Sequence, residues 1–471
     1  MTLSIFRAEL QSATHGDTLR DGLIGEGVLI PGLHQDVPLV YADYVASGRA
    51  LRQVEDFVAA HVLPFYANSH TEASYCGSYM TRLRREARAE IARIVGAGEG
   101  DAVIFTGSGA TAGLNRLVSL LGVQEADQPV VLIGPYEHHS NILPWRDSKA
   151  RVVEIPEAAE GGPDMQALKA ALLKHADADL VIGSFSAASN VTGIITDPDP
   201  VTRLLKAYGA LAVWDYAGGG PYLPMDMGPE EAHKDAIVVS PHKFPGGPGA
   251  SGVLVINQHV VKRSRPSWPG GGTVSFVSPW RHDYSTDLAT REEAGTPNVI
   301  GDIRAALAFM VKDAVGTDEI ARREALYNRM AIEGWSDNPY LTLLGAENAH
   351  RLPIFSFLVR DRSGRPVHQQ LFTRMLSDIY GIQARGGCAC AGPYAHRLLG
   401  IDRTTSEALH AALSAGEEMK KPGWVRLNFS YLMREETVQF IIDSVNDLSR
   451  RTEDYARFYN VDPATARFKA A

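Results

Sequence analysis

The chain of 471 residues carries 46 Lys and Arg against 55 Asp and Glu, a formal net charge of −9. That balance argues against a nucleic-acid binder, which needs clustered basic residues to meet phosphates. With 45% hydrophobic and 21% charged residues it reads as a globular chain, too long for one ordinary core.

The first residues, MTLSIFRAELQ, lack the charged-then-apolar pattern of a signal, and no apolar run approaches the roughly 20 residues of a membrane span. Three cysteines cannot staple a chain this long, so Cys76, Cys388 and Cys390 read as thiols in a reducing compartment. The expectation is a cytoplasmic enzyme, with neither nucleic acid nor membrane as partner.

Residues 1–44 are expected to be an N-terminal arm, packed on the small domain or on a partner subunit. From residue 45 to 305 short β-branched runs alternate with helical patterns. The predicted strands are Ala102–Phe105, Val130–Gly134, Leu180–Phe185, Leu211–Asp215, Ala236–Ser240 and Gly252–Ile256. Their near-continuous apolar character suits strands covered on both faces, as in a parallel sheet. Thr81–Val95 has apolar residues at helical spacing, and Asp199-Pro200 opens a second helix at Val201–Tyr208, with Gly209 past its end. This alternation predicts an α/β, mainly parallel, doubly wound sheet. Past Gly301 a long helical stretch, then strands at Ile354–Val359 and Val425–Phe429, predict a smaller α+β domain over 306–471.

The strongest chemical signal is Ser240-Pro241-His242-Lys243-Phe244-Pro245-Gly246-Gly247, where a lysine leaves a buried strand into a glycine-rich loop. An amine that forms a Schiff base with an aldehyde cofactor must be partly neutral, and burial lowers its pKa in that direction. A lysine in a surface turn is the plain alternative. Asp215 ends the strand Leu211–Asp215, and such strand ends line the ligand crevice of α/β sheets. A carboxylate there can pair with a protonated pyridine nitrogen; a helix-capping Asp is the other reading.

Phe105-Thr106-Gly107-Ser108-Gly109-Ala110-Thr111 opens a helix pattern at Ala112–Leu121, and free amides at a helix start attract a phosphate. His138, in Tyr136-Glu137-His138-His139-Ser140, can stack on a pyridine ring and move protons, or be an ordinary loop histidine. Asn190 can donate to a phenolate oxygen, or be a turn asparagine before Gly193.

Taken in this order, these residues resemble the class V aminotransferase branch of fold type I pyridoxal-phosphate enzymes, most nearly the group II cysteine desulfurases and selenocysteine lyases. The similar stretches include Tyr41–Ser47, Phe105–Asn115, Glu137–His139, Asn190-Val191, Ser240–Lys243, Glu293–Asn298 and Arg385–Cys390. The resemblance implies pyridoxal 5'-phosphate held on Lys243, with Asp215 at the ring nitrogen, His138 over the ring and Asn190 at the phenolate oxygen. It implies Thr111, Ser240 and His242 at the phosphate, with Ala110 in place of a frequent threonine. Thr296 would reach the neighbouring subunit's cofactor, which implies a homodimer.

Two further features bear on the reaction. Arg385-Gly386-Gly387-Cys388-Ala389-Cys390 is similar to the loop that presents a sulfur-attacking cysteine, and alignment from Arg385 puts Cys390 at that position. Which of Cys388 and Cys390 reacts stays open from sequence. A metal needs more ligands than these thiols supply. Arg426, after a similar strand, would fork onto the substrate's α-carboxylate, with Arg385 and Ala46 on the substrate side. The resemblance therefore implies conversion of L-cysteine to L-alanine with a persulfide on Cys390 and a sulfur-acceptor protein as a further partner. An aminotransferase, epimerase or β-lyase of the same family is the alternative, and a non-catalytic scaffold is a third.

Overall fold

The computed structural model describes residues 2–13, 17–69 and 72–470. His70 and Thr71, within the unusual Asn68–Glu72 segment, lie outside the described residues. The chain divides into two compact units, Met1–Leu23 with Ser47–Ala188 and Thr196–Thr317, and Ile24–Ala46 with Ser189–Ile195 and Asp318–Ala471.

The first unit is built on seven strands: β1 (Asp101–Gly107), β2 (Pro129–Ile133), β3 (Arg151–Glu154), β4 (Leu180–Ser186), β5 (Leu211–Asp215), β6 (Ala236–Val239) and β7 (Gly252–Asn257). They lie in the order β1-β7-β6-β5-β4-β2-β3. Strands β3, β2, β4, β5 and β6 run parallel, while β7 is antiparallel to both β6 and β1. Ala212, Val213 and Trp214 of β5 are fully buried, which is why an unbroken apolar run marks the strand. The predicted mainly parallel α/β sheet is the one observed. Strand β3 was not foreseen: it is an edge strand whose two end residues are exposed and whose two middle ones are only half-buried.

Around this sheet the unit carries α1 (Thr2–Ala13), α2 (Tyr75–Ile94), α3 (Gly109–Leu120), α4 (Pro198–Ala207) and α5 (Val299–Val315). Helix α2 starts six residues before the apolar pattern because the Ser74 side chain caps it, accepting from the Gly77 amide. Helix α4 likewise begins earlier than expected. Asp197, not Asp199, is its cap, and Pro198 takes the first turn.

The second unit holds α6 (Thr317–Trp335), α7 (Gln369–Tyr380) and α8 (Glu435–Ala456) with strands β8 (Leu341–Leu343), β9 (Ile354–Val359), β10 (Arg385–Gly387) and β11 (Trp424–Asn428). These strands form an antiparallel sheet in the order β8-β9-β11-β10. Its core gathers Trp335, Phe355, Phe357, Phe372 and Phe429 with Ile441 and Val445 of α8. Trp335 meets Phe355 edge-on, with ring centroids 5.3 Å apart. The register sets Arg385 opposite Arg426, so both arginines emerge at one place on the sheet. Among the described residues no helix is long and apolar enough to cross a membrane.

Candidate active site

Lys243 ends a single turn, Pro241–Lys243, directly after β6. Backbone bonds fix that turn. The Lys243 amide donates to Ser240 (3.0 Å), the Phe244 amide to Pro241 (3.0 Å) and the Gly48 amide to the His242 carbonyl (2.9 Å). Phe244 then stacks on Phe309 of α5 at 5.2 Å. A lysine on so constrained a backbone has only its own flexible stem to direct.

Asp215, at the end of β5, is 3% exposed and accepts the Ala217 amide at 2.7 Å. Burial pushes its carboxyl above the ordinary range, and the Lys243 charge pulls it back. A desolvated carboxyl of this kind gains most from a cationic partner.

Glu137, the residue before His138, is buried. It accepts the amide of Ser186 (2.9 Å), the hydroxyl of Ser186 (2.6 Å) and the side-chain amide of Asn141. Burial raises its carboxyl to about 7, with Asp215 adding to the rise. His138 is half-buried, and its Nδ1 accepts the Ser140 amide at 3.1 Å. In the neutral ring the proton therefore sits on Nε2, an assignment that follows from the hydrogen bond. The Ser140 hydroxyl is 2.8 Å from that of Thr111.

The start of α3 faces the lysine turn. The Ala110 amide donates to Ser240 Oγ at 2.9 Å. Gly109 has φ +60°, and a Cβ there would stand 2.8 Å from Ser240 Oγ and 3.3 Å from His242 Cε1. Burial lowers the His242 imidazole to about 4, with the Lys243 charge acting in the same direction, so it is a neutral ring at physiological pH. Hydroxyls, helix-terminal amides and a neutral imidazole form a cradle that suits a phosphate. With the fixed amine and the buried acid, this donor set fits pyridoxal phosphate.

Thr296 is exposed on the loop Glu293–Asn298. Both ends of that loop are anchored. Arg88 and Arg84 hold the buried Glu293 carboxyl below its usual range, against the upward push of burial. Asn298 caps α5 by accepting the Gly301 amide at 3.2 Å.

The second unit gathers a separate set. Arg426, in β11, is 3% exposed; Nη1 donates to the Asn190 carbonyl (2.8 Å) and Nη2 to Asp43 Oδ1 (2.9 Å). Arg385 Nε donates to the other Asp43 oxygen at 2.9 Å, so one carboxylate joins two guanidiniums. Burial draws the Arg426 pKa down and Asp43 opposes that. Ala46 is half-buried and closes a turn, its amide donating to the Asp43 carbonyl at 3.0 Å.

Asn190 uses its side-chain amide to hold the Ala389 carbonyl at 2.8 Å, and its buried Oδ1 has no partner. Cys390 is exposed and Cys388 half-buried. Ala389 and Cys390 have φ of 52° and 55°, a left-handed conformation that costs roughly 1–2 kcal/mol per non-glycine residue. Among the described residues no group of His, Cys, Asp and Glu is placed to hold a metal ion.

The structure thus brings Lys243, Ser240, His242, Ala110 and Asp215 together, and joins Thr111 to His138 through Ser140. It joins Arg426, Arg385, Asn190 and the cysteine turn in the second unit. Sequence reasoning gave no role to Asp43 and Glu137, although both stand in stretches it singled out. The signal for Glu137 was an acidic residue just past an apolar strand, beside a candidate histidine.

A family model, Aminotransferase class-V, matches residues 40–440. The chain belongs to the class V aminotransferase family. That family is pyridoxal-phosphate-dependent. A probable cysteine desulfurase of Streptomyces coelicolor is 28% identical over 80% of this chain and 89% of its own length. Another, from Pyrococcus abyssi, is 29% identical over 82% and 94%. Among solved structures, an apo cysteine desulfurase from Thermococcus onnurineus aligns with a TM-score of 0.72 at 23% identity, covering 87% of this chain and 94% of its own. The cysteine desulfurase CsdA of Escherichia coli aligns at 0.68 and 21%, covering 94% and 98%. At those identities the structures establish the fold, and the chain is a cysteine-desulfurase-like class V enzyme.

Proposed function

We propose that the enzyme converts L-cysteine to L-alanine and retains the sulfur as a persulfide on Cys390. The observation that carries this reading is the chain of contacts Arg426–Asn190–Ala389, which ties a buried guanidinium to the turn bearing an exposed thiol. The desulfurases among the relatives add support.

Pyridoxal phosphate supplies an electron-withdrawing ring that acidifies the substrate's Cα. The remaining work falls to side chains. Asp215 retains the positive charge at the ring nitrogen, and the Ser240, His242 and Thr111 cradle takes the phosphate. Arg426 keeps unused N–H groups after binding Asn190 and Asp43, and these take the substrate carboxylate. Lys243 accepts the Cα proton. The Cys390 thiolate attacks the substrate sulfur: an S–S bond forms, the Cβ–S bond breaks, and its electron pair stays with carbon. His138, through Nε2, delivers a proton to the carbon fragment, which leaves as alanine. An exposed thiol at a turn tip suits delivery of sulfur to an acceptor protein, and an exposed Thr296 between two anchors suits a homodimer that shares its sites.

The test is product analysis with L-cysteine. The expected products are alanine and, after addition of a reductant, sulfide in equal amount. Cys390→Ala should keep the cofactor absorbance and lose persulfide; unchanged alanine and sulfide would remove Cys390 from the mechanism. Keto acid in place of alanine would favour amino transfer.

A further inference from the structure

Cys388 has no part in the chemistry above, yet the backbone places it close to Cys390. The Ala391 amide donates to the Cys388 carbonyl at 3.3 Å, closing a turn whose two central residues, Ala389 and Cys390, both have left-handed φ. An extended tripeptide would hold the two cysteine Cα atoms about 7 Å apart. A helical residue of either hand between them brings the separation to about 5.4 Å, by the rise and radius of the helix. Disulfides span Cα separations of roughly 4.4–6.8 Å, so the turn moves the pair from outside that window to its middle. The conformation is also held from outside the turn, since Asn190 fixes the Ala389 carbonyl at 2.8 Å. Both thiols are free and reachable by solvent.

We propose that Cys388 and Cys390 form a reversible dithiol–disulfide pair, a thiol–disulfide exchange site within one turn. The oxidant is a small-molecule disulfide. The Cys390 thiolate, the more exposed, attacks one of its sulfurs, forming a mixed disulfide and releasing one thiolate. The Cys388 thiolate then attacks the Cys390 sulfur, closing the internal disulfide and releasing the second thiolate. Two protein thiols are oxidised and one small disulfide is reduced to two thiols. The closed form has no thiol at Cys390. Redox state would therefore gate the desulfuration proposed above, although closure itself stands without that reading.

The full chain is equilibrated with oxidised and reduced glutathione at graded ratios, quenched in acid, alkylated and mapped by mass. A rising oxidised share should convert the Cys388–Cys390 peptide to an unalkylated form lighter by two hydrogens. Cys76 should remain open to alkylation, and excess reduced glutathione should reverse the change. Cys388→Ser should instead accumulate a glutathione adduct on Cys390. The proposal is overturned if the natural chain carries glutathione on Cys390 while Cys388 is still alkylated, if chains become cross-linked, or if neither thiol is lost. None of these readings depends on turnover, so a closing pair in a protein inactive on L-cysteine would sink the desulfurase reading and leave this one standing.

Discussion

Glu137 and Asp215 are buried carboxyl groups linked through a single residue. Ser186 gives Glu137 both its amide and its hydroxyl, and stands opposite Asp215 in the β4–β5 register. Three donors converge on Glu137, and the third, Asn141, cannot turn round. Its Oδ1 already accepts from Trp145 (3.1 Å) and from the Ser184 hydroxyl. A glutamine at 137 must therefore face an N–H against a donor in either orientation. Glu137→Gln should destabilise the cofactor-free protein by about 1–3 kcal/mol, the cost of an unsatisfied buried group. Urea denaturation measures this, and an unchanged midpoint would show that the donors are not fixed as described.

Stability should respond to pH in two opposed ways. The Glu137 carboxyl is raised from 4.5 to about 7, so the folded state holds a proton that the unfolded chain has lost. Its contribution is complete below about 4.5 and falls as pH rises through about 7, by up to about 3 kcal/mol. His242 is lowered from 6.5 to about 4, so its contribution is present above 6.5 and is lost as pH falls through about 4. The two windows overlap and their slopes oppose, so the urea midpoint of the cofactor-free protein should change little between about pH 4.5 and 6.5. Glu137→Gln should uncover a midpoint that rises with pH across that interval and His242→Asn one that falls, and a flat profile in both variants would refute the two assignments.

The phosphate cradle rests on the missing side chain of Gly109. A Cβ there would press on Ser240 Oγ and His242, at a φ that disfavours any L side chain. Gly109→Ala should weaken pyridoxal-phosphate affinity at least about tenfold, equivalent to roughly 1.4 kcal/mol. It should also cost about 1 kcal/mol in stability from the left-handed backbone. Fluorescence titration of the cofactor-free protein reads the first effect. Undiminished affinity would move the phosphate away from this helix start.

Much of the large sheet was legible because its central strands are covered on both faces. The strands Leu211–Asp215 and Ile354–Val359 have the bounds expected from the sequence. The edge strand β3 was not legible, since exposure removes the signal. Lys243 and Asp215 could be found from their places at strand ends, because chain order alone brings such ends near one another in a parallel sheet. Asp43 could not. Its two arginine partners are more than 300 residues away, and only pairing across β10 and β11 brings them to it. The Asn190 contact with Ala389 was hidden for the same reason.

That long-range ion pair gives the sharpest energetic test. The Arg426 side chain is 4% exposed and Asp43 13%, so removing the carboxylate strands a buried guanidinium. Asp43→Ala should cost about 3–5 kcal/mol. Arg426→Met removes the charge along with the substrate's anchor, leaves Asp43 with Arg385, and should cost less. In the double variant no uncompensated buried charge remains. Its loss should therefore fall short of the sum of the single losses by more than about 1 kcal/mol. Urea denaturation of the three variants decides it: additive losses would mean that Asp43 and Arg426 do not depend on each other. Arg426→Lys adds a kinetic reading, because an ammonium cannot fork onto a carboxylate while also holding Asn190 and Asp43. Its KM for L-cysteine should rise at least about tenfold, a loss of some 1.4 kcal/mol in binding.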